Sequence, residues 1–288
     1  MRELKILIVV VFFTLLTYYG VEPFAHMQLH PHVEPADFSF KDLGETKKKG
    51  DPVKGAENFM SAGCIGCHSL KSQGMSAPMD DAAASAAFGV APPDLSTSGA
   101  IYDKNYLIAL IKNPTKALKV EHKFNDSKPH PMTSFGGLGG DINQEIADIV
   151  AYLQSIAPKE VTPKETYRDA CQRCHSMKYD KVFSNSDKES LIAYMGTTPP
   201  DLSITIRAKS KNYLETFINN PQKQLLGTSM PRVGLTKEYQ DKVVGYMEEV
   251  GDRKKDERND IGIKLIGFMV IFTLLAFLWK VKVWREVH

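Results

Sequence analysis

Two short motifs constrain the fold of this chain more than any other feature. Cys64–His68 reads CIGCH and Cys171–His175 reads CQRCH, so each motif has two cysteines three positions apart and a histidine directly after the second. The chain contains four cysteines, and the two motifs use all of them. No thiol is therefore left for a disulfide with a distant residue.

The Cys-x-x-Cys-His spacing is the signature of covalent c-type haem attachment. Two thiols on one turn can add to the two vinyl groups of a porphyrin, and the imidazole of the next residue then reaches the iron. A zinc site would need a second ligand pair close by, and a redox-active dithiol would need a βαβ setting that the pattern lacks. The sequence therefore predicts two covalently bound haem c groups, attached through Cys64, Cys67, Cys171 and Cys174 and ligated by His68 and His175.

The chain also repeats itself at a spacing of 107 residues. The segments PPDLS, KNYL and NP, which begin at Pro92, Lys104 and Asn113, recur 107 positions later. The register then changes to 94, because Tyr152 aligns best with Tyr246, so the first copy carries about thirteen extra residues. A repeat of this length indicates a duplicated domain and not a solenoid, since each copy can bury a core of its own.

Each copy shows helical periodicity that is interrupted by proline- and glycine-rich loops. In the closing helices the apolar residues fall on one stripe, namely Ile146, Ile149, Val150 and Leu153 in the first copy and Val243, Val244, Met247 and Val250 in the second. No stretch shows sustained period-two alternation, so the sequence predicts an all-α fold. The segment SIAPKEVTPKET at 155–166 predicts a short linker that keeps the copies adjacent.

Each haem iron needs a sixth ligand besides its histidine. In the second copy Met230 lies in a loop 55 residues after His175, and it is the predicted ligand. The equivalent loop of the first copy, KPHPMTSFGGLGGD, offers both Met132 and His130. A thioether raises the reduction potential and an imidazole lowers it. We expect Met132, because a duplicated domain should keep its ligand type, and His130 remains the alternative.

Both ends of the chain are apolar. No charged residue occurs over 6–21 or 265–279, and runs of this length reach roughly 22–24 Å along a helix. Each run predicts a membrane helix. A cleaved signal peptide is the alternative for the first run, because Arg2 and Lys5 precede it, but the run lacks an Ala-x-Ala cleavage site. A buried core helix is the alternative for the second run, and it conflicts with the basic tail that follows.

The balance of charges argues against one class of partner and predicts an orientation. Lys and Arg number 36 against 34 Asp and Glu, and a net charge of +2 predicts no nucleic-acid partner. Basic residues flank the outer end of each apolar run, so the positive-inside rule predicts that both termini are cytoplasmic. In a Gram-negative bacterium the chain would then lie in the inner membrane with its haem domains in the periplasm.

On these motifs each copy resembles a class I cytochrome c. The resemblance rests on an aromatic residue before each motif (Phe59 and Tyr167), the PPDLS loop, a middle helix, a methionine loop and a closing helix with Tyr152 or Tyr246. It covers roughly residues 50–250. The whole chain, with GVEPFAHMQLHPHVEPADFSFKDL after the first apolar run, is similar to the dihaem cytochrome c subunit of epsilonproteobacterial quinol–cytochrome c reductases.

The resemblance implies two tandem class I cytochrome c domains between two membrane helices. The expected divisions are an N-terminal anchor at 1–21, a periplasmic connector at 22–50, cytochrome domains at 51–157 and 158–251, a charged spacer at 252–260, a C-terminal membrane helix at 261–280 and a cytoplasmic tail at 281–288. The implied partners are cytochrome b and a Rieske iron–sulfur subunit in a dimeric complex. Met132 and Met230 are implied as the sixth ligands.

The expected function is one-electron relay from the Rieske protein to a periplasmic cytochrome c or a terminal oxidase. The chain would have no catalytic site of its own. The alternatives are a free-standing membrane-tethered dihaem carrier, an oxidase cytochrome subunit and a dihaem peroxidase. A peroxidase would need one haem with a vacant or displaceable ligand.

Overall fold

The computed structural model describes residues 2–29 and 33–287 of the chain. Within these residues the regular structure is helical and β structure is limited to isolated bridges, so the all-α prediction is confirmed. The α-helices are α1 Arg2–Leu16, α2 Glu22–Leu29, α3 Pro52–Ser61, α4 Asp81–Phe88, α5 Ser98–Ile101, α6 Lys104–Lys112, α7 Pro114–Ala117, α8 Ile142–Ile156, α9 Pro163–Ala170, α10 Lys188–Met195, α11 Thr205–Ala208, α12 Lys211–Asn219, α13 Pro221–Gln224, α14 Lys237–Gly251 and α15 Lys255–Val287.

The N-terminal helix extends beyond the predicted boundary at residue 21. Helix α1 continues through a π-helical turn, Thr17–Val21, into α2, which ends at Leu29. Pro23 offers a physical reason for the turn, because proline has no N–H and its ring clashes with the carbonyl four residues earlier in a regular α-helix. The wider turn allows the helix to continue.

The C-terminal helix α15 begins inside the charged segment that the sequence predicted as a spacer. Ion pairs between Lys254 and Glu257 (2.6 Å) and between Asp260 and Lys264 (2.5 Å) connect successive turns there, and such pairs favour helix. Three residues, 252–254, separate α15 from α14. The Asp252 carboxylate accepts two hydrogen bonds from the Arg258 guanidinium, at 2.7 and 3.0 Å, across this joint.

The two terminal helical segments are long and apolar enough to cross a membrane. They cover Glu3–Gln28 and Lys255–Val287, and none of either apolar window is buried within the chain. A buried core helix therefore does not account for the C-terminal run. An ion pair of 2.9 Å between Glu3 and Lys280 places the beginning of α1 beside the last turns of α15.

The duplicated sequence folds twice with the same order of helices. Helices α4 to α7 and their counterparts α10 to α13 begin 107 positions apart, and the closing helices α8 and α14 each have fifteen residues. All eight predicted stripe residues of α8 and α14 are buried, which confirms that these faces form the cores.

In each half the first helix packs against the last beside an aromatic pair. The ring centroids of Phe59 and Tyr152 are 5.8 Å apart in the first half, and those of Tyr167 and Tyr246 are 5.3 Å apart in the second. The contact between α3 and α8 is close, because a Cβ atom on Gly55 would lie 1.9 Å from a carbonyl oxygen of α8. This position in α3 therefore requires glycine.

The two halves are not independent bodies. Ile101 belongs to the buried core of the second half, and its carbonyl accepts a hydrogen bond of 3.0 Å from the Thr236 N–H. The Asp103 N–H donates to the Gly234 carbonyl at 2.9 Å, next to the same contact. The segment before α3 also touches both halves, because Thr216 donates to the Glu34 carbonyl at 2.8 Å while the buried Phe40 packs on Tyr106 at 6.0 Å.

Candidate haem sites

Each Cys-x-x-Cys-His motif forms a tight turn directly after the first helix of its half. The His68 N–H donates to the Cys64 carbonyl at 3.0 Å, and the His175 N–H donates to the Cys171 carbonyl at 2.9 Å. None of the four thiols forms a disulfide. The turn gathers two thiols and an imidazole into one small region, which is the donor set that covalent haem attachment requires.

The two histidine rings are oriented in the same way. The His68 Nδ1 atom lies 2.9 Å from the Pro93 carbonyl oxygen, and the His175 Nδ1 atom lies 2.8 Å from the Pro200 carbonyl oxygen. A carbonyl oxygen can only accept, so each Nδ1 carries the proton of a neutral imidazole. The Nε2 lone pair is then left for a metal ion, as is usual for ligating histidines. These residues therefore fit a haem iron.

The proline loops that supply these carbonyls are fixed by matching hydrogen bonds. The Leu95 N–H donates to the Ser69 carbonyl at 2.9 Å, and the Leu202 N–H donates to the Ser176 carbonyl at the same distance. Both serines directly follow the motif histidine. Each loop is thus tied back to its own motif, which fixes the position of the acceptor carbonyl.

An aspartate in each proline loop adds two more matching bonds. The Asp201 carboxylate accepts from the Ser203 N–H at 3.0 Å and from the Lys178 N–H at 3.2 Å. The Asp94 carboxylate accepts from the N–H groups of Ser96 and Lys71 at 2.8 and 3.4 Å. The PPDLS repeat marked these loops in the sequence, but the role of their backbone carbonyls and aspartates was missed.

The surroundings of the motifs favour the neutral forms of the side chains. Burial lowers the pKa of His68 and of His175, and it raises the pKa of Cys171 to about 12. The neutral imidazole is the form that binds a metal. The positive charge of Arg173 also lowers the pKa of His68, by less than burial does. The second motif therefore lies close enough to the first to influence it electrostatically.

One hydrogen bond that occurs in both halves allows their methionine loops to be aligned. The Val233 N–H donates to the Ile218 carbonyl at 3.3 Å, and the Phe135 N–H donates to the Ile111 carbonyl at 3.0 Å. Ile111 and Ile218 are equivalent positions of the middle helices. Because Val233 follows Met230 by three positions and Phe135 follows Met132 by three, these two methionines occupy equivalent places.

The surroundings of the two methionines differ. Met230 is partly buried and packs against the core cluster of the second half, as Cys171 also does. Met132 is also partly buried, and its backbone is next to the ring of His130, whose Nδ1 atom lies 3.2 Å from the Met132 nitrogen and 3.0 Å from its carbonyl oxygen. One ring nitrogen of the alternative ligand is therefore occupied by the Met132 backbone.

A zinc site built from both cysteine pairs finds no support in the geometry. Over residues 2–29 and 33–287, no group of three or more His, Cys, Asp and Glu side chains could hold a metal ion. The two Cys-x-x-Cys pairs stay in separate halves. Each motif must therefore be interpreted by itself.

Comparison with known families identifies the first half. The family model for cytochrome c matches residues 52–157, which include the first motif and Met132. Residues 52–157 are thus a cytochrome c domain, and such a domain implies a covalently bound haem c. The chain therefore contains one segment identified as a cytochrome c domain and two helices long and apolar enough to cross a membrane. No curated protein and no solved structure matches the chain.

Proposed function

We propose that this chain is a dihaem, membrane-anchored electron-transfer subunit of a quinol–cytochrome c reductase. The observation that carries the proposal is the hydrogen bond from the motif histidine to a proline carbonyl, which occurs once in each half at equivalent positions. Haem iron supplies a one-electron couple when it is bound. The proposed haem ligands and attachment residues are Cys64, Cys67, His68 and Met132 in the first half and Cys171, Cys174, His175 and Met230 in the second.

The residues of each half divide the work at a haem. The thiols would hold the haem, the proline carbonyl fixes the ring of the motif histidine, and the methionine would tune the reduction potential as a ligand. Complete ligand sets leave no position for a substrate, so the chain has no catalytic site of its own in this proposal. Because the halves share a core, both haems would sit in one body, and single electrons would pass along one chain.

The membrane arrangement in this proposal places both termini in the cytoplasm and the haem domains in the periplasm. The contact between Glu3 and Lys280 supports it, because the two chain ends lie side by side. Cytochrome b and a Rieske protein would be the partners within a dimeric complex. The chain would accept electrons from the Rieske protein and deliver them to a periplasmic cytochrome c or a terminal oxidase.

Purification in mild detergent through a tag on this chain tests the assignment. We expect equal amounts of b-type and c-type haem together with the electron paramagnetic resonance signal of a Rieske cluster. Two c-type haems without either partner would contradict the complex and favour a free-standing carrier or an oxidase subunit. A high-spin haem that reacts with added peroxide would instead favour a peroxidase.

The ligand assignment has its own test. Met132→His and Met230→His should each remove one haem's share of the weak red absorption that a methionine sulfur gives on ferric haem, and each should lower the potential of that haem. His130→Gln serves as the control, because it removes the alternative ligand and keeps Met132. An absorption and a potential that Met132→His leaves unchanged, with a haem potential that His130→Gln raises, would assign the imidazole instead.

A further inference from the structure

Most of the extra residues of the first half lie in one segment before Met132. Ile111 and Ile218 are 107 positions apart, whereas Met132 and Met230 are 98 apart, so nine extra residues precede Met132. We call residues 121–131 the inserted segment. Nine of its eleven residues are therefore extra relative to the second half, and the duplicated haem cradle does not require them.

The inserted segment extends over the second half and contacts the end of α10. The Lys123 ammonium donates to the Met195 carbonyl at 2.6 Å, and the Lys128 ammonium donates to the Tyr194 carbonyl at 3.0 Å. The last carbonyls of a helix have no partner within it and carry partial negative charge, so two cations stabilise this end. The ring of Phe124 packs on Tyr194 with centroids 5.4 Å apart.

The same segment also reaches the methionine loop of the first half. The His130 ring meets Phe124 edge-on at 4.8 Å, and its Nδ1 atom engages the backbone of Met132. A continuous set of contacts therefore leads from Tyr194 in the second half, through Phe124 and His130, to Met132.

The methionine loop of the second half and the inserted segment donate hydrogen bonds to the same carbonyl oxygen. The Ser229 hydroxyl donates to the Met195 carbonyl oxygen at 2.8 Å, and this oxygen is the one that accepts from Lys123. Ser229 directly precedes Met230 in the chain. The Met195 carbonyl is thus shared by the inserted segment and by the loop that carries Met230.

We propose that the inserted segment couples the two methionine loops, so that loosening one loop loosens the other. This inference rests on the proposed function, because it takes Met132 and Met230 as haem ligands. Lys123, Phe124 and His130 act as positioning residues, since they hold the loops through backbone atoms and ring contacts.

Displacement of the methionine by added imidazole in the ferric, full-length protein tests the coupling. In the Met132→His background, the methionine absorption comes from the Met230 site alone. In the Met230→His background, it comes from the Met132 site alone. In both backgrounds Lys123→Met should lower the imidazole concentration needed for displacement about tenfold. This is the ratio that corresponds to the loss of one hydrogen bond worth ~1.4 kcal/mol. Lys123→Arg keeps the cation and should restore the original affinity for imidazole.

Lys116→Met is the matched control, because Lys116 is an exposed lysine on α7 in the same half. An effect of Lys123→Met no larger than that of Lys116→Met would overturn the coupling. An effect at the Met230 site alone would also overturn it, since that result indicates a local hydrogen bond. Should Lys123→Met fail to assemble, Ser229→Ala removes the other donor to the Met195 carbonyl and tests the same link.

The ligand assignment is checked separately in the backgrounds themselves. If Met132→His and Met230→His leave the methionine absorption unchanged, the proposed ligands are wrong and the coupling fails with them. If both remove their part of the absorption while Lys123→Met is silent, the proposed ligands stand and the coupling alone fails.

Discussion

The two halves of the molecule are alike on the histidine side and different on the methionine side. Around His68 and His175 the hydrogen bonds to the proline loops match pair by pair. Around the methionines, the first half uses an inserted segment, whereas the second has a short loop packed against its core. Haem attachment needs one fixed geometry, while the sixth ligand and its surroundings tune the potential. We therefore expect two haems with the same attachment and different potentials.

The methionine loop of the second half is held by residues from outside that half. Arg232, two positions after Met230, is only 3% exposed, and its guanidinium donates to the Asp42 carboxylate at 2.9 Å and covers the Phe40 ring at 5.5 Å. The Arg232 carbonyl accepts from the Tyr106 hydroxyl at 3.1 Å. The connector and the first half thus position this loop, which the loop's own sequence does not reveal.

The largest expected effect concerns the number of haems. Replacing Cys64 and Cys67 together by serine, or Cys171 and Cys174 together, should reduce the covalently bound haem from two groups to one. Mass spectrometry of the intact chain measures the loss directly. A wild-type chain that carries one haem would contradict the equivalence of the two halves, because only one half would then be a haem domain.

A substitution at the contact of α3 and α8 tests whether the halves are stable separately. In Gly55→Ala the new Cβ would collide with the Asp148 carbonyl oxygen, 1.9 Å away, and overpacking should cost about 3 kcal/mol. Because Ile101 of the first half is buried in the core of the second, we expect one unfolding transition, shifted as a whole. Circular dichroism during denaturation with urea measures it.

Gly245→Ala in α14 is the matched control for this substitution, because nothing lies within 4 Å of the Cβ it would add. It should leave the protein as stable or slightly more stable, since alanine favours helix. Two separate transitions in Gly55→Ala would show instead that the halves unfold independently.

Much of the common framework of the two halves was predictable from the sequence, and most of the contacts that distinguish them were not. Period-3.6 spacing identified core positions such as Ile146 and Val243, because burial follows one face of a helix. Arg232 and Asp42 are 190 positions apart and give no local signal, since only the folded chain brings them together. The acceptor carbonyls of Pro93 and Pro200 are backbone atoms, so no side chain announces them.

Loss of the Asp42 carboxylate should have an intermediate effect. Burial alone would raise the pKa of Asp42, but the hydrogen bond and charge of Arg232, together with Lys119, hold it below its ordinary value. Asp42→Asn leaves the buried guanidinium of Arg232 without its anionic partner. It should lower the free energy of unfolding by about 1–2 kcal/mol and no more, because the side chain of Asp42 is 46% exposed and water screens the pair.

The pH dependence of this effect follows from the lowered pKa. The carboxylate stabilises the fold fully above its unfolded-state pKa of about 3.9 and loses its effect as the pH falls through the lower folded-state pKa. The difference in the free energy of unfolding between the wild type and Asp42→Asn should therefore be constant above about pH 5 and become smaller at lower pH. Glu45→Gln, an exposed change in the same connector, should differ from the wild type by less than about 0.5 kcal/mol at every pH.

The smallest expected effect concerns the matched aspartates of the two proline loops. Asp94→Ala and Asp201→Ala each remove an acceptor of two backbone N–H groups, and each should cost about 1 kcal/mol. The comparison predicts equal losses, because the bonds are equivalent. Denaturant titrations of the two variants side by side measure the difference. Unequal losses would show that the histidine sides have diverged as well.

The short joint between α14 and α15 has a consequence for how partners meet this protein. The four Cα–Cα steps from Gly251 to Lys255 span at most about 14 Å, so the end of the closing helix of the second half stays that close to the beginning of α15. With α15 in a membrane, the second half is held at a set height above the lipid surface. A partner in the same bilayer would then find it by lateral diffusion, and the rate of electron transfer to that partner would depend on the number of partner molecules per area of membrane, not on their concentration in a volume.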